Sequence, residues 1–303
     1  MRAKKPPRQW SHRRVHPSVV AIDVQLDSIA EECWVLLRGD AHHDNPHSLH
    51  EREKEDLEEA VRRRAIIIDV GDLFCAMGGR ADPRRARKGI TRDEHLDAND
   101  YFDSLVKHAA NFYAPYSHHF ALIAHGNHET SILKNQETDL TQRLIERLNE
   151  RTGSSIEHGH YSGDIHFLLR HGHKTTSFWM TYFHGSGGGG MMSFDSLRVR
   201  RQSSWNPVAQ VVVCGHVHER WSLEIVRKIP SLKKDRYSVD LESQWHIRTG
   251  TYKEEYSDGH GGFHIEKGAP PKPVGAMWMR IGFERKKTVT GEACRARLEF
   301  TAT

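Results

Sequence analysis

Five short apolar runs recur along the chain, and each ends in polar residues that can bind a metal: VLLRGDAHHD, AIIIDVGD, FALIAHGNHE, FWMTYFHG and VVVCGHVHE. Runs of this length, stopped by glycine, read as buried strands. Between them the period changes. Residues 50–64 and 139–151 repeat at helical spacing, and Leu140, Leu144, Ile145 and Leu148 form one apolar stripe. Beyond Gly215 the long helical patterns stop, and strand-like runs follow at 223–226, 245–251, 277–283 and 296–301. The pattern predicts an α/β sandwich of two packed sheets with helices outside, its polar clusters on loops at the carboxyl ends of strands.

Length refines this picture. A chain of 303 residues is long enough for one large domain. We read residues 1–30 as a basic N-terminal extension and first strand, and residues 31–303 as one catalytic domain with insertions at about 75–110 and 186–205. The first insertion carries a basic loop with Arg80, Arg84, Arg85, Arg87 and Lys88, followed within the insertion by a helix from Arg92 onward. The second contains four consecutive glycines, which permit a flexible loop. Hydrophobic content of 37% and a mean hydropathy of -0.68 exclude an apolar span, since no run approaches bilayer length. The basic start lacks the apolar stretch of a secretory signal, so a cytoplasmic protein is expected. Four scattered cysteines, with no CxxC pair, are expected to be reduced thiols. Net charge is only +4, so local basic clusters matter more than the whole-molecule balance.

Histidine is abundant, and 23 of them predict about 1.7 HxH pairs by chance, so GHVH alone is weak. The pairs His158/His160 and His171/His173 are read as background without a carboxylate at ligand spacing. Order supplies the specificity: strand ends present Asp40-x-His42, Gly71-Asp72, Gly126-Asn127-His128-Glu129, His184-Gly185 and Gly215-His216-x-His218 in turn. Carboxylate oxygen and imidazole nitrogen together suit borderline divalent metals. In an extended Asp-x-His segment both side chains leave one face, so both can reach one ion.

On these motifs the sequence resembles the calcineurin-like metallophosphoesterases, whose pattern is D-x-H, G-D, G-N-H-[DE], H and G-H-x-H; the resemblance spans about residues 35–251. It implies a four-layer αββα sandwich and two divalent metal ions, Mn first, with Fe, Zn, Ni or Mg as alternatives. Carried over by position, Asp40, His42 and His218 hold one ion, Asn127, His184 and His216 the other, and Asp72 bridges them. A metal-bridging hydroxide then attacks phosphorus, and His128 faces the phosphate as general acid or transition-state stabiliser, tuned by Glu129 or Asp44. Glu219 joins these two as a candidate to orient ligand imidazoles. Many relatives carry an acid three residues after the bridging aspartate, where this chain has Cys75. His43 reads as a structural or surface histidine. The late RTGTYKEEY and GHGGFHIEKGAPPKP segments are similar to phage and prophage members.

The basic loop, with Arg80, Arg84 and Arg85 as substrate contacts, and the cluster at 198–201 favour a nuclease or phosphodiesterase acting on nucleic acid. Cyclic-nucleotide or small-molecule phosphodiesterase and phosphoprotein phosphatase fit the same metal core. A non-catalytic binding protein on this fold should have lost ligands, and none is missing.

Overall fold

The computed structural model describes residues 9–77, 91–92, 100–187, 196–233, 235–257, 263–266, 268–288 and 291–303. In chain order its elements are β1 (Trp10–His16), β2 (Val19–Gln25), β3 (Cys33–Arg38), α1 (His50–Arg62), β4 (Ile66–Asp69), α2 (Tyr101–Tyr113), β5 (Phe120–Ile123), α3 (Asn127–Gln136), α4 (Leu140–Thr152) and β6 (Glu157–His158). Then come β7 (Ser162–His171), β8 (Lys174–Phe183), α5 (Ser196–Trp205), β9 (Val211–Cys214), β10 (Arg220–Lys233), β11 (Arg236–Thr249), α6 (Phe263–Glu266), β12 (Met277–Thr288) and β13 (Gly291–Ala302). All five motif runs form strands, and residues 50–64 and 139–151 form helices within two residues of their expected ends.

The strands build a seven-stranded sheet, β1-β2-β7-β8-β9-β11-β10, and a six-stranded sheet, β13-β12-β3-β4-β5-β6. Both are mixed. β3, β4, β5 and β6 run parallel, whereas β12 joins β3 antiparallel; β8, β9 and β11 run parallel beside antiparallel hairpins. Within the segment read as a basic extension and first strand, residues 10–25 supply two paired strands, and β2 zips parallel to β7 from Val19↔Asp164 to Gln25↔Arg170.

The layers follow from which faces are apolar. Ile22, Phe167, Met180 and Val213 from one sheet meet Leu37, Ile68 and Met279 from the other in the central core. The opposite face of the six-stranded sheet, with Leu36, Ile67 and Ile123, packs on Leu57 of α1, Leu105 and Ala109 of α2, and Leu144 and Leu148 of α4. The outer face of the seven-stranded sheet is covered over β9 by α5, whose Gln202 Nε2 donates to Cys214 Sγ at 3.0 Å. This is a four-layer αββα sandwich. No helix among the described residues is long and apolar enough to cross a membrane.

One polar cluster sits inside this apolar frame. Arg38, wholly buried at the end of β3, reaches Glu53 of α1 at 2.7 Å and Asp69 of β4 at 2.9 Å. Tyr113 of α2 also donates to Glu53. The cluster ties two strands to two helices directly behind the motif loops.

Candidate metal centre

The carboxyl ends of β3, β4, β5, β8 and β9 lie side by side, and the loops leaving them converge. His42 Nε2 lies 3.1 Å from His218 Nε2, and His218 Nε2 lies 3.4 Å from Asp40 Oδ1. Beside this group, His184 Nε2 lies 3.1 Å from Asp72 Oδ2 and 3.2 Å from Asn127 Oδ1, and His216 Nδ1 lies 2.6 Å from the same Asn127 Oδ1. Thus all seven sequence-derived candidates, including Asn127, come together in two adjoining donor groups.

The route to convergence differs from the extended geometry expected. β3 stops at Arg38, and Asp40 and His42 follow it in left-handed backbone with φ of 53° and 47°. Asp72, His216 and His218 share that region at 54°, 74° and 58°. Left-handed backbone costs a non-glycine residue about 1–3 kcal/mol, so surrounding bonds must over-determine it. They do: Asp40 N donates to Gly71 O, His42 N to Asp72 O, Gly215 N to His184 O and His216 N to Asp40 Oδ2, all within 3.0 Å. Side chains therefore meet because neighbouring loops lock each other, and strand pleat plays no part. Gly126 shows how tight the fit is, because a Cβ there would lie 2.0 Å from Asp72 Oδ1.

Glu129 serves these loops rather than His128. Its carboxylate accepts from the backbone N–H groups of Asp72, Phe74 and Gly126 at 2.8–3.1 Å, so one buried side chain joins the second and third motif loops. Burial, then the nearby Asp72, push its pKa up to about 8 against the pull of those amides. Asp44 likewise accepts from Cys75 N and Ala76 N at 2.7 and 2.8 Å. Glu219 pairs with Lys272 at 2.5 Å and is outside the imidazole support.

Backbone carbonyls and a thiol orient the imidazoles instead. His184 Nδ1 donates to Val70 O at 3.0 Å, and His216 Nε2 to Gly187 O at 3.2 Å, which turns the other ring nitrogen of each toward the shared space. Cys75 Sγ, at the position where an acid stands in many relatives, lies 3.2 Å from His42 Nδ1. His128 Nδ1 donates to the Cys75 carbonyl at 2.9 Å, and its Nε2 lies 3.9 Å from Asp72 Oδ2.

The electrostatics fit cations. Burial, and then His128 and His218, carry His42 well below the ordinary imidazole range, and burial with His184 also lowers His216, so both are neutral ligands-in-waiting. Burial opposes ionisation of Asp72, but His184 and His128 beside it hold the carboxyl well below its usual range. His216 Nδ1 lies 2.6 Å from Asn127 Oδ1, a separation that suits either a hydrogen bond between them or a cation shared by the two atoms.

Other expectations fall differently. Arg80, Arg84, Arg85, Arg87 and Lys88 lie outside the described residues, as do residues 188–195 of the glycine segment. His43 is structural: it is buried, 3.0 Å from His108 and stacked on His50. His158 is not background, because its Nε2 lies 3.5 Å from Asp139 Oδ2. A cavity of about 90 Å³ beside the centre is lined by Gly185, Gly215, Arg198, Arg201, Trp205 and Arg248, of which Trp205 and Arg248 had not been singled out from sequence. A cavity of about 730 Å³ between α2 and α4 contains none of the candidate ligands.

No protein-family profile matches the sequence, and no curated protein matches it. Among solved structures, the chain is similar to a conserved uncharacterized protein, a predicted phosphoesterase, from Streptococcus pneumoniae, at 8% identity and a TM-score of 0.30 over 88% of this chain and 99% of that one. It is also similar to Vps29 from Entamoeba histolytica, solved with zinc, at 9% identity and a TM-score of 0.35 over 88% and 98%. A third is GAP50, the anchor in the inner membrane complex of Plasmodium, at 11% identity and a TM-score of 0.39 over 89% and 84%. Overlaps this low carry no argument about activity.

Proposed function

We propose that the chain is a two-metal phosphoesterase of the calcineurin-like type, and that its substrate is a nucleic-acid phosphodiester. The observation that supports the enzyme reading is the convergence of Asp40, His42 and His218 beside Asp72, Asn127, His184 and His216 with donor separations of 2.6–3.4 Å. Asp40, His42 and His218 would hold one divalent cation, Asn127, His184 and His216 a second, and Asp72 both; Mn²⁺ is the first choice for this oxygen and nitrogen set. When bound, such a pair supplies Lewis-acid polarisation of phosphoryl oxygens and a water of lowered pKa. The protein's part is positioning. His128, fixed through Nδ1 on the Cys75 carbonyl, is set to hold a proton at Nε2 for the leaving oxygen.

The substrate class rests on the rim. Arg198 and Arg201 line the small cavity that shares Gly185 and Gly215 with the ligand loops, and Trp205 beside them is 72% exposed. Cations for phosphate next to an open aromatic face for stacking suit a nucleic-acid strand. Arg80, Arg84 and Arg85 would add phosphate contacts.

Hydrolysis of bis-p-nitrophenyl phosphate by chelated and Mn-loaded protein tests the enzyme reading. Release should require metal, and His128→Ala should lower kcat by roughly 10²–10⁴ without changing metal content. Equal rates for wild type and His128→Ala, with or without metal, would sink it. Active Mn-loaded protein should then cleave DNA or RNA; intact nucleic acids alongside hydrolysed cyclic nucleotides or phosphopeptides would overturn the substrate assignment.

A further inference from the structure

A second histidine cluster lies outside the centre just described. His125 follows β5, Asp139 precedes α4, and His158 ends β6. His125 Nε2 is 3.0 Å from Asp139 Oδ1, His158 Nε2 is 3.5 Å from Asp139 Oδ2, and the two Nε2 atoms are 3.1 Å apart. Three elements thus aim three ligand atoms at one point, although the residues are far apart in sequence.

Imidazoles around an ionised carboxylate satisfy this arrangement poorly. If both Nε2 atoms are protonated, two donors face each other across 3.1 Å. If only one is, the bare Nε2 of the other ring directs its lone pair at a carboxylate oxygen. One contact is repulsive either way. A single cation in the middle makes all three favourable. The spacing fits one: tetrahedral bonds of about 2.0–2.1 Å place neighbouring donors about 3.3 Å apart. The separations His158 Nε2 to Asp139 Oδ2 and Nε2 to Nε2, 3.5 and 3.1 Å, bracket that value and match those among the candidate ligands of the main centre.

We propose that His125, Asp139 and His158 form a third divalent-cation site, separate from the paired donor groups, that takes Zn²⁺ or a similar borderline ion. Two imidazoles and a carboxylate are ordinary ligands for zinc. Asp139 is free to serve because its two oxygens divide the work: Oδ1 also caps α4 by accepting from Gln142 N at 2.9 Å, which leaves Oδ2 toward the ion. Arg14, which lines the adjoining depression, is paired with Glu157 at 3.0 Å and donates to the His158 carbonyl. Entry is open. A surface depression of about 540 Å³ is lined by Arg14, His16, His158 and His160, so water or the exposed His160 imidazole can complete four donors.

An ion there would staple β5, α4 and β6 and would hold His125 two residues before Asn127. The site does not depend on phosphoesterase activity, and its test does not read activity. Full-length protein is stripped with chelator, loaded with Zn²⁺ and freed of excess, and bound zinc is counted by mass spectrometry. Asp139→Asn keeps the helix cap but loses the charge; it and His158→Gln should each hold one zinc per chain fewer than wild type. Asp72→Asn should leave this site filled. Zinc-loaded wild-type crystals should also show an anomalous peak between the three donors, which decides the matter even if a variant does not fold. Equal zinc content in wild type and both variants, or no such peak, overturns the proposal.

Discussion

At the scale of single residues, the centre is crowded backbone as much as a set of ligands. Gly126 has no room for a Cβ, which would meet Asp72 Oδ1 at 2.0 Å and Asp72 N at 2.3 Å. Both contacts are to groups held by other bonds, since Asp72 N donates to Glu129 and Asp72 Oδ1 accepts from His128 N. Gly126→Ala must therefore displace Asp72. Misplacing a reacting group by about 1 Å costs about 10²-fold, so the variant should lose at least that in metal-dependent kcat/KM, with weaker binding of Mn²⁺ by calorimetry. Wild-type activity in Gly126→Ala would mean that the Asp72 loop yields freely. The sequence showed a glycine in each motif, but not that Asp40, His42, Asp72, His216 and His218 would bear left-handed backbone themselves.

Elements were legible where one face decides them. Motif strands β4, β5 and β9 are short apolar runs buried on both sides, β8 buries alternate residues of its apolar end, and α4 shows its stripe at Leu140, Leu144, Ile145 and Leu148, all buried. β7 was missed, although Ile165, Phe167 and Leu169 alternate inward, because Asp164 and His166 cut its apolar run to three residues. Long-range chemistry was hidden for another reason. His125 and His158 find their carboxylate at Asp139, 14 and 19 residues away, and only the packing of α4 on β5 and β6 brings them together. Glu53 lies in HEREKEDLEEA, where it reads as surface charge, yet α1 buries it against Arg38. Burial opposes its ionisation, but Arg38 and His43 hold its pKa at about 2. Its contribution is therefore complete above the unfolded value near 4.5 and is lost as pH falls toward 2. Asp69, raised by burial to about 6, has the opposite sign, and its contribution fades as pH rises from about 4 to 6. Glu53→Gln leaves Arg38 buried with one carboxylate fewer, and should cost roughly 3–5 kcal/mol in urea unfolding at neutral pH. It should also flatten the decline of stability between pH 4.5 and 2; an unchanged midpoint at pH 7 would show that Asp69 alone balances the guanidinium.

Across the whole molecule, the two sheets bring the carboxyl ends of β3, β4 and β5 against those of β8 and β9, so the centre lies at one edge of the central core. That placement couples metal binding to the packing of both sheets. The ligand loops carry five left-handed residues, and Asp40, His42, Asp72 and His184 are almost wholly buried. Without cations, His184 is held protonated chiefly by Asp72, which overcomes the opposing effect of burial, and it must release that proton when a metal takes Nε2. Binding at this site should therefore stabilise the native state more as pH rises. Free metal at about 100 times its Kd should add about 2.7 kcal/mol per site, which for a chain of this size is a rise in Tm of about 5 °C or more. Differential scanning calorimetry of chelated and Mn-loaded protein measures this directly, and the difference should shrink from pH 8 to pH 6 as protons compete for His184. An identical Tm with and without metal at pH 8 would show that the sandwich holds these loops in place unaided, and that their strain is balanced by the bonds between Asp40, Gly71, Asp72 and His216 alone.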